Sequence, residues 1–372
     1  MKGYHYVGRL DCVTGYGAAA RHQLHVLRQG GLRLNAIVGS SAASCDPQKE
    51  VPWIQKCLER DKAVPDFGGD DFGGTIIHMS PNIAAPRQAT TPGPHVLVSV
   101  WETTKLPAEW VELINTGWAQ VWCATRWQRN IYEASGVREE LLRVVPFAFD
   151  PALYSKEGPV KRPYPAGVCI FGSIFQWTAR KAPEKLLAAF LEAFQHGEKV
   201  ALVLKTYEGD DPSDASVESR AVEVLRRYRL NRPAPPIHIV TQRLTHLETL
   251  MLMRGLDCLV AASRGEGWGL PLTEARLLDI PVIASDWGAH VEYAPRSYLP
   301  VGGELVAPCD MDWQPFYSID QQWFEPGVAD LVERMREVYE AYSAGRGLGL
   351  EPLPDQREQA VAAARAALEE FD

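Results

Sequence analysis

Two glutamates frame a glycine-rich segment in the second half of the sequence. Seven residues separate Glu266 from Glu274, and Gly267, Gly269 and Pro271 lie between them. Glycines let backbone N–H groups approach a ligand closely, and proline is typical of the first turn of a helix. A helix N-terminus attracts anions, whereas carboxylates accept hydrogen bonds from hydroxyls. The pattern predicts a site for a molecule with phosphates and vicinal diols, such as a nucleotide sugar.

A second segment carries adjacent positive charges. Arg180 and Lys181 come just before a predicted helix that starts at Pro183. Cations at a helix N-terminus are unfavourable for the helix dipole, so a bound anion such as a diphosphate would compensate them. Lys205 ends a predicted strand, where it is either a further cation near the phosphates or an ordinary solvated terminus.

The first half contains another glycine loop that opens a helix. Gly15 and Gly17 satisfy the G-x-G-x-x-A pattern of dinucleotide-binding proteins. Two features argue against that class. Residues 8–14 separate the glycines from the preceding strand, and residues 38–41 hold no carboxylate where a ribose-binding acid is expected.

The wider context resembles the donor site of retaining glycosyltransferases of family 4. Beyond the spacing of the two glutamates, the resemblance is carried by Ala261-Ala-Ser263, Asp279-Ile-Pro-Val-Ile-Ala-Ser285, Gly288 and Glu292. An isolated pair of glutamates would be weak support, because any solvated helix face can carry one. Here the ordered matches run from residue 261 to residue 292, and the resemblance extends over most of the chain.

The resemblance implies a GT-B architecture, which is an α/β fold of two Rossmann-like domains with parallel sheets facing across a cleft. Residues 1–158 would form an N-terminal acceptor domain, with a C-terminal helix at 355–372 packing back on it. Residues 166–350 would form the nucleotide-sugar donor domain.

The family's donor contacts carry over residue by residue. The resemblance assigns Lys181 to the diphosphate and Glu274 to the ribose hydroxyls. Gly172 and Ser173 stand where the family often has an arginine, so either Arg180 substitutes for it or that contact is absent. The nucleotide base is expected near the strand end at residues 242–244. The predicted donor-binding residues are Gly15, Gly17, Arg180, Lys181, Lys205, Gln242, Leu244, Gly267, Trp268, Gly269, Leu270 and Glu274.

Two residues are predicted to be catalytic. Glu266 would position the transferred sugar and stabilise its oxocarbenium character. His78 ends a predicted strand, at the edge where α/β domains bind ligands. A lone histidine is more often structural, but the resembled enzymes often present one here to the donor sugar and acceptor. Trp101 and Glu102 end the next strand and are predicted to contact the acceptor, although aromatics at this spacing usually belong to the core.

The resemblance implies transfer of a hexose from a UDP- or GDP-linked donor to a glycan, glycoconjugate or other hydroxyl acceptor. No cofactor or metal is expected beyond this co-substrate, since fixed Lys and N–H donors can stabilise the departing diphosphate. Asp70-Asp71 and Asp210-Asp211 lie in polar stretches and are expected to be solvated. The alternatives are a sugar phosphorylase or activated-sugar hydrolase of the same fold, and a non-catalytic sugar-binding homologue.

Composition limits the class of partner. The chain has 372 residues, of which 46% are hydrophobic, and a formal net charge of -9. This balance argues against nucleic acid as a partner, because nucleic-acid binding needs a basic surface. Seven scattered cysteines without a C-x-x-C pair are typical of a reducing cytoplasm. We find neither a signal-peptide core nor a bilayer-spanning segment, and we expect a soluble protein with at most peripheral membrane contact.

Alternating strands and helices are expected to position these residues. Strands are predicted at 4–7, 34–38, 75–78, 95–101, 144–146, 168–171, 199–206, 237–241, 258–262 and 282–285. Helices are predicted at 18–29, 108–115, 126–135, 183–195, 215–228 and 356–371. The stretch 85–94, rich in Pro, Thr and Gly, predicts a loop, and the proline-rich stretch 150–165 predicts an interdomain linker.

Overall fold

The computed structural model describes residues 2–12, 14–38, 50–58, 67, 69–207, 215–228, 233–309 and 316–371. The chain divides into two compact units. The first consists of Met1–Leu153 and Pro354–Asp372, and the second of Tyr154–Leu353. Asp210 and Asp211, and all but the first residue of the 38–41 segment, lie outside the described residues.

The described part of the first unit has a six-stranded parallel sheet with strand order β2-β1-β3-β4-β5-β6. Its strands are β1 (Gly3–Gly8), β2 (Leu34–Val38), β3 (Phe72–His78), β4 (His95–Val98), β5 (Gln120–Cys123) and β6 (Leu142–Val144). Its helices before the C-terminal segment are α1 (Gly15–Gln29), α2 (Pro52–Leu58), α3 (Pro81–Gln88), α4 (Ala108–Gly117) and α5 (Arg126–Ala134). Because every strand pair is parallel, the carboxyl ends of the strands share one edge of the sheet.

The second unit has a parallel sheet with order β12-β11-β10-β7-β8-β9 and a separate antiparallel pair, β13 and β14. The strands are β7 (Cys169–Gln176), β8 (Val200–Tyr207), β9 (Ile237–Val240), β10 (Cys258–Ala261), β11 (Val282–Ser285), β12 (Leu299–Val301), β13 (Gly303–Val306) and β14 (Trp323–Pro326). The helices are α6 (Pro183–Ala193), α7 (Ala215–Tyr228), α8 (His246–Arg254), α9 (Leu270–Leu277), α10 (His290–Tyr293) and α11 (Val328–Ser343).

Continuous apolar strands form the core of the second unit. Phe171 of β7, Leu202 of β8 and Val260 of β10 are fully buried, together with Phe190 of α6 and Met335 of α11. Strands that are covered by helices on both faces have unbroken runs of apolar residues in the sequence. These runs allowed the strands to be predicted. This rigid sheet supports the loops at its carboxyl edge.

The last helix, α12 (Arg357–Glu369), packs on the first unit. The hydroxyl of Tyr4 donates to the carbonyl of Leu368 at 3.1 Å, and the amide of Gln120 donates to the carbonyl of Ala367 at 2.7 Å. Ala364 of this helix is completely buried, and Ala360 packs in one cluster with Val26 of α1.

Several predicted elements keep their bounds, and one is wrong. The strands at Leu34–Val38 and Val282–Ser285 coincide with the sequence prediction. The predicted loop at 85–94 is wrong over residues 85–88, which belong to α3. Pro81 occupies the first turn of that helix, and Ala84 is fully buried beneath it. Burial of one helix face therefore stabilises α3 although the local composition is typical of a loop and Pro86 lies inside the helix.

Other elements were not predicted at all, namely α2, α8, α10, α11 and the strands β5, β12, β13 and β14. The start of α8 does carry a readable signal, because Thr245 and Glu248 form a reciprocal capping box. Within the described ranges, no helix combines the length and apolarity required to cross a membrane.

Candidate functional site

The glycine-rich loop joins the carboxyl end of β10 to α9. Gly269 is the N-cap of α9 and has a left-handed backbone, with φ of 95° and ψ of 54°. A side chain is disfavoured in this conformation, so glycine is required for the backbone turn. Pro271 lies in the first turn, as the sequence predicted. The loop therefore places the N-terminus of α9, which attracts anions, at the edge of the sheet.

Glu266 and Lys181 form a short ion pair on this edge. The Nζ atom of Lys181 lies 2.6 Å from Oε1 of Glu266, and the two side chains are only 15% and 12% exposed. Arg180 Nη1 lies 4.0 Å from Glu266 Oε2 and donates to the carbonyl of Gly265 at 2.7 Å. Burial raises the pKa of Glu266, but Lys181 and Arg180 outweigh it and hold that pKa below its ordinary value. Glu266 is thus a carboxylate at neutral pH.

A depression opens beside the ion pair. It is lined by Lys181, Glu266, Gly269 and Pro271, and by Ser173 of β7. The carboxyl ends of neighbouring parallel strands commonly form the ligand site of an α/β domain. The structure therefore brings the predicted phosphate-binding lysine and the predicted catalytic glutamate together at one such edge.

Glu274 lies one turn inside α9 and is almost completely buried. The hydroxyl of Tyr154 donates to its Oε1 atom at 3.2 Å, and His246 Nδ1 lies 4.0 Å from the same atom. The rings of Tyr154 and His246 meet edge to face with centroids 6.1 Å apart. Sequence reasoning gave neither residue a role, since Tyr154 is 120 positions from Glu274.

The buried side chain of Trp268 stabilises the glycine-rich loop. Its ring stacks on Tyr293 of α10, with centroids 3.8 Å apart and planes 6° from parallel. Its indole N–H donates to Thr273 at 3.0 Å, while the Tyr293 hydroxyl donates to the carbonyl of Trp268 at 2.7 Å. The side chain of Trp268 is therefore occupied with packing, and the donor contacts predicted for Gly267, Trp268 and Leu270 stay predictions.

The remaining predicted donor residues of the second unit lie on β8 and after β9. Lys205 is buried next to Ile174 of β7, with its ammonium 5.5 Å above the ring of Tyr207. This burial excludes the solvated-terminus alternative for Lys205. Gln242 is exposed and Leu244 half-buried in the segment that leads into α8. Their predicted contact with the nucleotide base stays a prediction.

In the first unit, His78 ends β3 and is 1% exposed. The Tyr6 hydroxyl donates to Gln23 at 2.9 Å and lies 2.7 Å from Nδ1 of His78, so Nδ1 carries the proton that the Tyr6 oxygen accepts. Burial lowers the pKa of His78 to about 3. The ring is therefore neutral, and its buried Nε2 has no hydrogen-bond partner among the described residues.

Gly15 and Gly17 open α1 in the same unit. A side chain at Gly17 would place its Cβ 2.1 Å from the carbonyl oxygen of Cys12, so only glycine fits there. Tyr16 between them was not singled out from the sequence. Its ring lies edge-on to His78, with centroids 6.1 Å apart. The loop thus places an aromatic ring beside the predicted catalytic histidine.

Trp101 lies in the core. It is 3% exposed, its indole N–H donates to Thr103 at 2.7 Å, and its ring meets Trp110 edge to face at 4.8 Å. This burial weighs against stacking of Trp101 on an acceptor. Glu102, directly after it, is half-buried. Acceptor contacts by these two residues stay predictions.

His290 lines the same depression as Glu266, although sequence reasoning assigned it no role. Its Nε2 lies 2.7 Å from the carbonyl oxygen of Ser285. A carbonyl only accepts, so Nε2 carries the proton. Burial lowers the pKa of His290 and keeps the ring neutral. Its position a few residues after β11 is the signal that could have found it, because that strand ends at the same edge.

No protein-family model matches the sequence, and no curated protein matches it. Solved structures do match. HepE from Anabaena, in complex with UDP and glucose, is 14% identical with a TM-score of 0.59, over 100% of this chain and 96% of that one. Sucrose-phosphate synthase from Thermosynechococcus elongatus is 15% identical with a TM-score of 0.62, over 100% and 97%. A glycosyltransferase from Rickettsia africae is 13% identical with a TM-score of 0.60, over 100% and 97%.

These similarities establish the fold. The chain has two Rossmann-like α/β domains with parallel six-stranded sheets in its described part, as in the matching GT-B structures. The predicted α/β fold of two Rossmann-like domains with parallel sheets is confirmed.

Proposed function

We propose that this protein is a retaining glycosyltransferase that moves a hexose from a UDP- or GDP-linked donor to a hydroxyl of a glycan, glycoconjugate or other acceptor. The observation that carries the proposal is the buried ion pair of Lys181 and Glu266 beside the N-terminus of α9. Glu274 lies one turn further on. HepE, which shares the fold, has been solved with UDP and with UDP-glucose. The chemistry of such a donor matches a site with cations, a helix N-terminus and carboxylates.

In the proposed reaction, the bond between the anomeric carbon and the diphosphate oxygen breaks, and its electron pair stays on the diphosphate. A bond forms from the acceptor oxygen to the anomeric carbon on the same face, and the hydroxyl proton is released. Lys181 and the N–H groups of the loop stabilise the charge that grows on the phosphates. Glu266 stabilises the positive charge on the sugar, and Glu274 holds the ribose hydroxyls.

The two units divide the substrates in this proposal. The second unit holds the donor, and the first unit holds the acceptor near His78 and Glu102. The lone pair on Nε2 of His78 is suited to accept a hydrogen bond from a sugar hydroxyl, because burial keeps the ring neutral. We further propose that the enzyme works in the cytoplasm without a metal or cofactor.

A thermal-shift screen tests the proposal. A ligand that binds only the folded state raises stability by RT ln(1 + [L]/Kd), so UDP or GDP and its sugar should raise the melting temperature. A flat response to all nucleotides at millimolar concentration would contradict the proposal. Incubating the active donor without acceptor then separates the alternatives. A hydrolase would release free sugar, and a phosphorylase would form sugar phosphate when inorganic phosphate is added.

A further inference from the structure

Arg264 lies directly before the glycine-rich loop, and its side chain is 6% exposed. Its backbone N–H donates to the carbonyl of Arg180 at 2.7 Å, and its guanidinium donates to the carbonyl of Ala179. Its own carbonyl accepts from the backbone N–H of Phe324 in β14 at 2.8 Å. One residue thus ties the glycine-rich loop to the turn that carries Lys181 and to the β14 strand.

Two carboxylates complete the surroundings of this guanidinium. Arg264 pairs with Glu184 of α6 and with Glu325 of β14, and it lies 5.5 Å from the centre of the Trp323 ring. Lys185 also pairs with Glu325 at 2.6 Å. The two cations balance the two carboxylates, so the charge of Arg264 is already compensated within the protein. Arg264 is therefore placed to hold protein groups rather than to bind a phosphate itself.

The turn that Arg264 holds has a strained backbone. Residues 179–181 form a short 3-10 turn, and Ala182 then has φ of 45°, a left-handed conformation that costs energy for any residue with a side chain. Such a conformation persists only where the surrounding structure enforces it. The bonds from Arg264 fix the turn before this residue, and the pair with Glu184 fixes the helix after it. Lys181 lies between these two anchors.

We propose that Arg264 is a positioning residue that holds the ammonium of Lys181 at Glu266 and in place for the donor diphosphate. The inference rests on the proposed function, because it specifies how the diphosphate site is kept in shape. Arg264 acts through Lys181, so its substitution should weaken diphosphate binding only while Lys181 is present.

A double-mutant cycle tests this claim. The variants are Arg264→Lys, Lys181→Met and the double substitution, and the measurement is calorimetric affinity for UDP and for GDP. Arg264→Lys keeps the charge but loses the multiple planar contacts, and we expect about a tenfold weaker Kd. In the Lys181→Met background, the same substitution should change Kd by less than about twofold.

Arg162→Lys is the matched control. Arg162 is also partly buried, and it pairs with Asp257 at 2.9 Å and donates to the carbonyl of Val168 at 2.6 Å, at the opposite edge of the sheet. Its substitution should lower the melting temperature as Arg264→Lys does but leave the Kd unchanged. If Arg264→Lys does not fold, Glu184→Gln provides the milder change, with the same dependence on Lys181 expected.

The outcomes separate the two proposals. Wild-type protein that binds neither UDP nor GDP would overturn the proposed function and this inference with it. Wild-type binding with equal losses from the Arg264 substitution in both backgrounds would overturn the positioning role alone. Unchanged affinity in Arg264→Lys would also overturn it.

Discussion

The carboxyl edges of the two sheets are built from different chemistry. In the second unit, Lys181 and Glu266 pair as charged groups, and the neighbouring cations hold the pKa of Glu266 below its ordinary value. In the first unit, His78 is kept neutral by burial and bonded to the hydroxyl of Tyr6. One edge is suited to an ionic ligand, and the other to neutral hydroxyls.

This difference matches the division of labour that we propose. A nucleoside diphosphate needs fixed positive charge, whereas an acceptor hydroxyl needs a neutral group that accepts a hydrogen bond. An ionised histidine would lose its acceptor atom, so burial of His78 preserves that capacity.

The largest effect is expected for Lys181→Met. Removing a hydrogen bond to a charged group costs about 1.5–3 kcal/mol, which corresponds to roughly a 10- to 100-fold weaker Kd for the nucleoside diphosphate. Lys156→Met is the control, because it removes the same charge from an exposed pair with Asp279 in the same unit. Calorimetry should show loss of affinity only in the first variant. Equal affinity of both variants would remove Lys181 from the site.

The neutral His78 at the carboxyl edge of the first sheet should make the stability of the protein depend on pH. The unfolded His78 takes up a proton below about pH 6.5, while the folded pKa of about 3 prevents this. The contribution of His78 to the free energy of unfolding is therefore fully present above pH 6.5. It is lost as pH falls towards 3, because only the unfolded histidine takes up a proton. From this difference in proton uptake, we expect the free energy of unfolding to fall by roughly 1.5 kcal/mol between pH 6.5 and pH 5.

His78→Gln should remove this part of the acid sensitivity, whereas the exposed residue His196 provides a control in His196→Gln. Urea denaturation at the two pH values measures the difference. An unchanged pH dependence in His78→Gln would show that the histidine is not held neutral in the folded protein.

The smallest effect is expected for metal removal. Lys181 and the N-terminus of α9 supply the positive field in our account, so excess EDTA should leave the transfer rate unchanged. Activity that is abolished by EDTA and restored by magnesium or manganese would contradict that account.

The sequence predicted the parts of the site that depend on local pattern. Gly269 and Pro271 mark the start of α9 through backbone rules that act over a few residues, and the structure has that start. The partners of Arg264 could not be predicted in this way, since Glu184 and Glu325 are 80 and 61 positions away. The same holds for α3, where burial of Ala84 outweighs a composition typical of loops. A stretch of a few neighbouring residues does not reveal which distant residues will pack against it.

The central claim is that Glu274 and Glu266 act on different parts of one donor. Glu274→Gln should weaken binding of the free nucleoside diphosphate by about 1.5–3 kcal/mol, because it removes a charged acceptor for the ribose. Glu266→Gln should leave that affinity nearly intact and lower turnover, because its contact strengthens as the sugar becomes cationic. The decisive measurement is calorimetric affinity for the diphosphate beside steady-state kinetics in both variants. Loss of nucleotide affinity with normal turnover in Glu266→Gln, or wild-type behaviour of both variants, would contradict this account of the site.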